Sequence, residues 1–397
     1  MSKLPVLDAE RVWAALDVFH IEVPSWGFAN TGTRFGKFLQ SAAATSIEEK
    51  FADAAEVKVL TGASPSIALH VLWDLPGGLA DVPAIKALDK KYGVKPGSIN
   101  PNLFQNAEYK YGSIANPSSE IRAIALAHLL DSVAIGRELG SRDVSLWIAD
   151  GSNYPGTQSM RNRIGWMEEA LSATHAALGD DQRMLIEYKP FEPAFYHTDI
   201  ADWGMALELS RRAGPKARVL VDTGHHYQGT NIEQIVAWLL HLGALGGFHF
   251  NDRKYADDDL TLGSIDPYQL FRIFHEILSA DPAEQAGIAF MIDQSHNLKG
   301  KIEAMIQSVV TAQELYAKAA LVDRATLAEL QQECRIVEAE ECFRSAFWQD
   351  VRPLVRDWRQ SRGLPAEPLR ALADSGYVER ISIERAGKSA HSISSYA

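Results

Sequence analysis

The sequence predicts an α/β fold, a (β/α)8 TIM barrel with a C-terminal helical extension, and three observations carry that expectation. Strand-like apolar runs alternate with amphipathic helical segments eight times before residue 300. Four of the runs end in a residue able to bind a hard metal ion: Glu187, Asp222, His249 and Asp293. The ligands stand 35, 27 and 44 residues apart (187 to 222, 222 to 249, 249 to 293), each gap about one strand plus one helix. Such spacing brings four strand ends together at one end of a parallel barrel, where barrel enzymes carry their active sites.

Taken in order, the first predicted strand is Val18–Val23, followed by Ile67–Trp73, a weaker Gly97–Asn100, and Val144–Ala149. The four ligand-bearing runs are Leu185–Pro190, Val219–His225, Gly247–Asp252 and Ala289–Asp293. Each is too short for a buried helix, rich in β-branched or aromatic residues, and stopped by turn or polar residues. Helical periodicity is clearest in Ile121–Gly140, where Ile124, Ala125, Leu129, Val133 and Ile135 share a face, and recurs in Arg163–Leu178 and Ile232–Leu242. A Gly-rich aromatic loop, Trp26–Gly36, follows the first strand and is long enough to cover the barrel mouth or reach a neighbour. After residue 300 come helical segments Ile302–Ala320, Arg324–Phe347 and Val351–Arg362, then a polar tail, Gly387–Ala397. The expected organisation is a catalytic barrel over residues 1–300 and a helical oligomerisation arm over 301–397, since a chain cannot continue into a closed barrel and must wrap it or pack on another subunit.

Composition narrows the function class. A net charge of −12 without a block of Lys and Arg disfavours nucleic-acid binding. The chain opens without a signal-peptide pattern and contains no run approaching the ~20 apolar residues of a membrane span. Two cysteines, Cys334 and Cys342, imply no disulfide framework, and the expectation is a cytoplasmic protein.

Three carboxylates and one imidazole converging on a point suit a hard or borderline divalent cation such as Mn2+, Mg2+ or Co2+. His225, three residues after Asp222, and Asp257 and Asp259 in the acidic loop after the seventh strand suggest a second site, with Asp222 bridging; paired ions polarise substrate oxygens and activate water. Lys189, two residues beyond Glu187, would share its face of the strand and could polarise a carbonyl or stabilise an alkoxide. His70 offers an acid or base, and Trp26, Trp147 and Phe35 offer apolar walls for the carbon face of a polyol. Taken singly, each has a plainer reading: an Asp at a strand end is commonly a cap or turn former, and His249 a core histidine. Only the joint pattern of four ligands, Glu-x-Lys and Asp-x-x-His argues for a site. His226, His241, His275 and His296 are read as structural.

The motifs Ile186–Pro190, Val221–His226, Phe248–Asp252 and Asp257-x-Asp259 resemble the metal centre of the xylose-isomerase-like sugar isomerases, most closely the bacterial L-rhamnose isomerases of broad substrate range. The resemblance runs from about Val18 to beyond Asp293. It implies a structural metal held by Glu187, Asp222, His249 and Asp293, and a catalytic one held by Asp222, His225, Asp257 and Asp259, with Mn2+ first and Co2+, Mg2+ or Zn2+ as alternatives. It also implies that Lys189 binds the carbonyl end of the sugar, His70 assists ring opening, Trp26 and Trp147 form the hydrophobic wall, and Phe35 enters a neighbouring subunit of a homotetramer. The reaction implied is aldose–ketose isomerisation, by hydride shift or through an ene-diol, with the hydride shift preferred. L-rhamnose to L-rhamnulose is the first expectation and D-allose a related one. A ketose 3-epimerase, a phosphodiesterase acting on abasic DNA, and a sugar-binding protein without turnover are the alternatives.

Overall fold

The computed structural model of the chain describes residues 8–30, 38–192, 195–255 and 259–388. Eight parallel strands form its centre: β1 Val23–Pro24, β2 Ser66–His70, β3 Lys95–Asn100, β4 Asp143–Trp147, β5 Arg183–Glu187, β6 Ala217–Asp222, β7 Leu245–Phe250 and β8 Ala289–Ile292. Each pairs with the next, and the ring closes where Glu22, just before β1, donates its N–H to Phe290 (2.8 Å) and accepts from Ile292 (2.9 Å). This is the (β/α)8 TIM barrel that the alternation predicted.

The first strand is shorter than expected. Asp8 caps α1 (Ala9–Val18) by accepting from the N–H of Arg11, so Val18 ends a helix with its side chain in solvent and only Val23–Pro24 is strand. The second strand likewise stops at His70, because Leu72 turns into the left-handed region (φ 81°). The remaining helices of the outer ring are α2 Ile47–Thr61, α3 Val82–Tyr92, α4 Ser119–Leu139, α5 Met160–Ala177, α6 Trp203–Ala213, α7 Ile232–His241, α8 Pro267–Ser279, the short α9 Pro282–Gly287, and α10 Lys301–Ala320. Side-chain caps at Ser46, Ser118, Ser159, Asp202, Asn231 and Asp266 start α2 and α4 to α8. Among the described residues, no helix is long and apolar enough to cross a membrane.

Strand alternation sorts the side chains into two cores. Leu185, Leu220 and Met291 fill the barrel lumen as a small cluster of their own. Their chain neighbours Ile186, Val219, Val221 and Ile292 point outward into the large core between strands and helices. Below the apolar plug lies a charged layer, in which Arg183 pairs with Asp143 and donates to the carbonyl of Gly246. Above it, on the same inward face, stand Glu187 and Asp222.

Helix α10 packs against α8, α1 and α2 and is buried along most of its length, so it completes the helical ring after β8. Residue 301 is thus the start of the last barrel helix, and the chain leaves the ring only after it. The segments α11 Arg324–Gln332, α12 Ile336–Phe347, α13 Arg352–Ser361, α14 Pro368–Ser375 and α15 Tyr377–Glu384 then wrap its outside. Trp13 donates to the carbonyl of Leu354 (3.1 Å), Trp358 to Asp17 (2.9 Å), and the buried Arg385 pairs with Asp53 (2.8 Å). Helices α1 and α2 are tied to the C-terminal segments by these links.

Candidate active site

Glu187, Asp222, His249 and Asp293 lie at or just beyond the C-terminal ends of β5, β6, β7 and β8. One potential ligand atom from each falls within 4.8 Å of all the others. The first three are buried and Asp293 is partly exposed. Nδ1 of His249 stands 3.2 Å from Oε2 of Glu187 and 3.7 Å from Oδ2 of Asp293, yet it finds no hydrogen-bond partner of good geometry. Three carboxylates closing on one such nitrogen repel one another unless a cation is shared between them. The donor set therefore fits a divalent metal ion, with oxygen and imidazole ligands and no thiolate.

The electrostatics of the cluster point the same way. Burial opposes ionisation of Glu187, but the facing imidazoles of His249 and His225 outweigh it and hold the carboxyl down at about 2. Burial also disfavours charge on His249, but Glu187, Asp293 and Asp222 around it push it up to about 9. Negative potential concentrated in a buried pocket is what a cation site requires.

Around the ligands stands a second set of contacts. Asp222 accepts from the N–H of Gly224 (2.7 Å) and from the amide of Asn251 at 3.1 and 3.3 Å. The same Asn251 amide reaches Oδ1 of Asp259 (3.5 Å) and the carbonyl of Asp293 (3.2 Å), so it joins the ends of β6 and β8 to the loop after β7. A Cβ on Gly224 would stand 2.5 Å from the Asn251 side-chain oxygen, which is why this turn carries glycine. His225 places Nδ1 3.1 Å from the carbonyl of Tyr188 and 3.2 Å from Glu187. His225 and Asp259 are thus gathered beside the four-residue cluster. Asp257 and Phe35 lie outside the described residues.

Lys189 is buried, paired with Glu192 (2.9 Å), and its Nζ lies 5.0 Å from the ring centre of Trp147. Facing the charged side is a continuous aromatic wall. His70 stacks on Trp73 at 3.8 Å, meets Trp26 edge-on at 5.9 Å and Phe104 at 5.7 Å, and Phe104 in turn touches Trp147 at 4.8 Å. Burial lowers His70 to about 4. The ring is neutral at pH 7, and with Nδ1 3.1 Å from the carbonyl of Val71 that nitrogen carries the proton.

Sequence reasoning passed over Asn251, Glu192, Trp73 and Phe104. Asn251 had a signal, since it repeats the inward face of His249 two residues on. Glu192 is three residues from Lys189, but the turn that brings it back is not legible in the pattern. Trp73 was assigned to a strand, and Phe104 follows an irregular Pro101–Asn102 turn without periodicity. A cavity of about 650 Å³ lined by Glu22, Ser66, Asp143 and Arg142 opens at the opposite end of the barrel. It is larger than the cleft beside Lys189, His225 and Tyr255, but it holds no comparable convergence of ligands among the described residues.

Fold and cluster together define a class: a TIM-barrel enzyme with a carboxylate and imidazole site for a divalent metal at the C-terminal ends of its strands. Over 386 residues the chain is 40% identical to the "Probable sugar isomerase" of Rhizobium meliloti strain 1021, covering 96% of this chain and 89% of that protein. It is 37% identical to the protein of the same description from Mesorhizobium japonicum, over 96% and 88% of the two chains. A xylose isomerase of Thermus thermophilus is 31% identical over 199 residues, 45% of this chain and 48% of that one. The chain belongs to this family of sugar isomerases, within the xylose-isomerase-like group, and is an isomerase. Solved structures of the same fold include 3-keto-D-glucoside 4-epimerase from E. coli (TM-score 0.52, 14% identity, 74% of this chain and 99% of that one). A D-allulose 3-epimerase from Methylomonas sp. in complex with D-allulose compares similarly (TM-score 0.52, 15% identity, 74% and 96%). No protein-family model matches the chain.

Proposed function

We propose that the protein is a metal-dependent aldose–ketose isomerase, acting first on L-rhamnose to give L-rhamnulose and also on related aldoses such as D-allose. The single observation that carries this reading is the buried cluster of Glu187, Asp222, His249 and Asp293, with Lys189 and an aromatic wall beside it. In this reading the cluster holds one divalent ion, and Asp222, His225, Asp257 and Asp259 hold a second, Mn2+ being the first choice. Bound divalent ions supply Lewis acidity toward the adjacent oxygens of an open-chain sugar.

The protein's own groups do the rest. The protonated Nδ1 of His70 donates to the carbonyl of Val71, so Nε2 is the basic nitrogen and takes the hydroxyl proton released and returned as the sugar ring opens. The Lys189 ammonium, oriented by Glu192, binds the carbonyl end and balances negative charge developing on its oxygen. Trp26, Trp73, Phe104 and Trp147 exclude water from the reacting carbons and supply no base there. That suits a hydride moving from C2 to C1 while a proton passes from O2 to O1, and it predicts little solvent deuterium in the product. We also place the enzyme in the cytoplasm as a homotetramer, with Phe35 reaching a neighbouring subunit; sedimentation as a monomer at micromolar concentration would overturn the assembly.

The test is turnover of L-rhamnose by purified protein, stripped with chelator and resupplied with Mn2+, with ketose formation followed directly and other aldoses alongside. Metal-dependent rhamnulose formation supports the reading. No ketose from any aldose, with metal bound, overturns it and leaves ketose 3-epimerisation and phosphodiester substrates to be tried.

A further inference from the structure

Trp26 does more than present an aromatic face. Its indole N–H donates to Oδ1 of Asp293 at 2.8 Å, while the other oxygen of that carboxylate, Oδ2, is the one 3.7 Å from Nδ1 of His249. Asp293 is the most exposed of the four clustered residues, its side chain 28% accessible against 2% for Glu187, and so has the most conformational freedom to lose. From these contacts we propose that Trp26 is a positioning residue for the metal centre. It holds Asp293 with one oxygen committed to the indole and the other turned into the cluster. The inference rests on the metal-centre reading of that cluster.

The indole meets the His70 ring edge-on at 5.9 Å, and the backbone turn that carries it is held on three sides. Trp26 belongs to a short 3-10 turn, Ser25–Phe28, directly after β1. Ser25 and the backbone N–H of His70 both donate to Oδ2 of Asp74, at 2.5 and 2.8 Å, and the buried Lys50 balances the charge of Asp74 at 2.6 Å. Behind the turn, a Cβ on Gly27 would stand 2.6 Å from Cε of Met305 and 2.9 Å from the carbonyl of Gln294, one residue past Asp293. Ser295 donates to the carbonyl of Trp26 at 3.3 Å. The turn after β1 and the loop after β8 are therefore packed as one unit, which fixes the Trp26 backbone beside Asp293. A fixed donor selects one rotamer of a carboxylate ligand and preserves its ionised form, the usual work of groups behind a metal's direct ligands.

The experiment is equilibrium dialysis of Mn2+ against the full-length protein, its Trp26→Phe, Asp293→Asn and doubly substituted forms. Trp26→Phe keeps an aromatic surface and removes the N–H, and is expected to weaken the affected binding step about 10- to 100-fold. The double variant is expected to bind no more weakly than Asp293→Asn alone, because the indole acts through that carboxylate. Should the phenylalanine variant not fold, 3-benzothienylalanine placed at position 26 fills the same volume with sulfur in place of N–H. Unchanged Mn2+ affinity in the folded variant, or additive losses in the double one, overturns the inference alone. A wild-type protein that takes up no Mn2+ overturns the metal-centre reading as well.

Discussion

Lys189 concentrates the residue-scale argument, because its charge is buried, paired with Glu192 at 2.9 Å, and set over the Trp147 ring. Replacing it with methionine keeps the apolar stem and removes the ammonium. If that charge stabilises an oxygen in the transition state, kcat should fall about 100- to 1000-fold while Mn2+ binding persists. Steady-state rates measured beside metal dialysis decide it, and a variant with near-normal kcat would remove Lys189 from the chemistry. The residues that could be read from the chain were those whose chemistry is unusual for their place. A Glu-x-Lys or an Asp-x-x-His at the end of an apolar run stands out, whereas Trp73 does not and Asn251 shows only as a repeat of the inward face of His249. Part of what they do comes from distant neighbours, such as the Asp222 carboxylate bonded to the Asn251 amide at 3.1 Å.

At the scale of elements, the barrel interior divides into a polar floor, an apolar middle and a top where β5 to β8 bring their ligands. Glu22 belongs to the floor, where it accepts from Ser66 Oγ (2.6 Å), Ser98 N (2.9 Å) and Ser98 Oγ (2.7 Å). A Cβ on Gly97 would lie 1.6 Å from Oε2 of Glu22. Gly97→Ala must push Glu22 out of those bonds, at a cost of about 2–4 kcal/mol from lost hydrogen bonding and overpacking. Urea unfolding should show that loss, and Glu22→Ser should recover part of it in the double variant, since contacting sites are not additive. Additive effects would show that the clash relaxes elsewhere. Strand positions were legible because strands buried on both faces read as short apolar runs stopped by turn or polar residues. The first strand was not, since α1 runs through Val18 before the chain turns.

Over the whole molecule, several histidines are held neutral by burial: His70 down to about 4, His226 to about 3, and His275 and His296 to about 4. Each has a folded pKa below its unfolded value of about 6.5, so unfolding takes up protons as the pH falls. Stability should therefore decline from about pH 6.5 toward pH 4, by up to about 1.4 kcal/mol per pH unit for each fully buried ring and less for the partly exposed His275 and His296. Carboxylates raised by burial act in the opposite sense and blunt the decline: Asp53 to about 6 despite Arg385, with Glu22 and Asp150 moved upward as well. Melting temperatures of the metal-free protein across this range test the sign, and a flat or rising profile on acidification would refute it. His70→Gln should flatten part of the slope.

Much of this protein was determined by local chemistry along the chain. Repeated strand and helix patterns define a barrel, barrel strands all point one way, and ligands at their C-terminal ends must meet. The family resemblance rested on those same short motifs. What only the tertiary structure decided is what depends on distant segments coming into contact: that Lys301–Ala320 completes the helical ring, that Arg385 returns to Asp53, and that Trp26 reaches Asp293 across the seam between the first and last strands. Periodicity is set by neighbours a few residues apart and can be read in one dimension. A hydrogen bond spanning 267 positions has no local signal, because either side chain alone would suit many other partners.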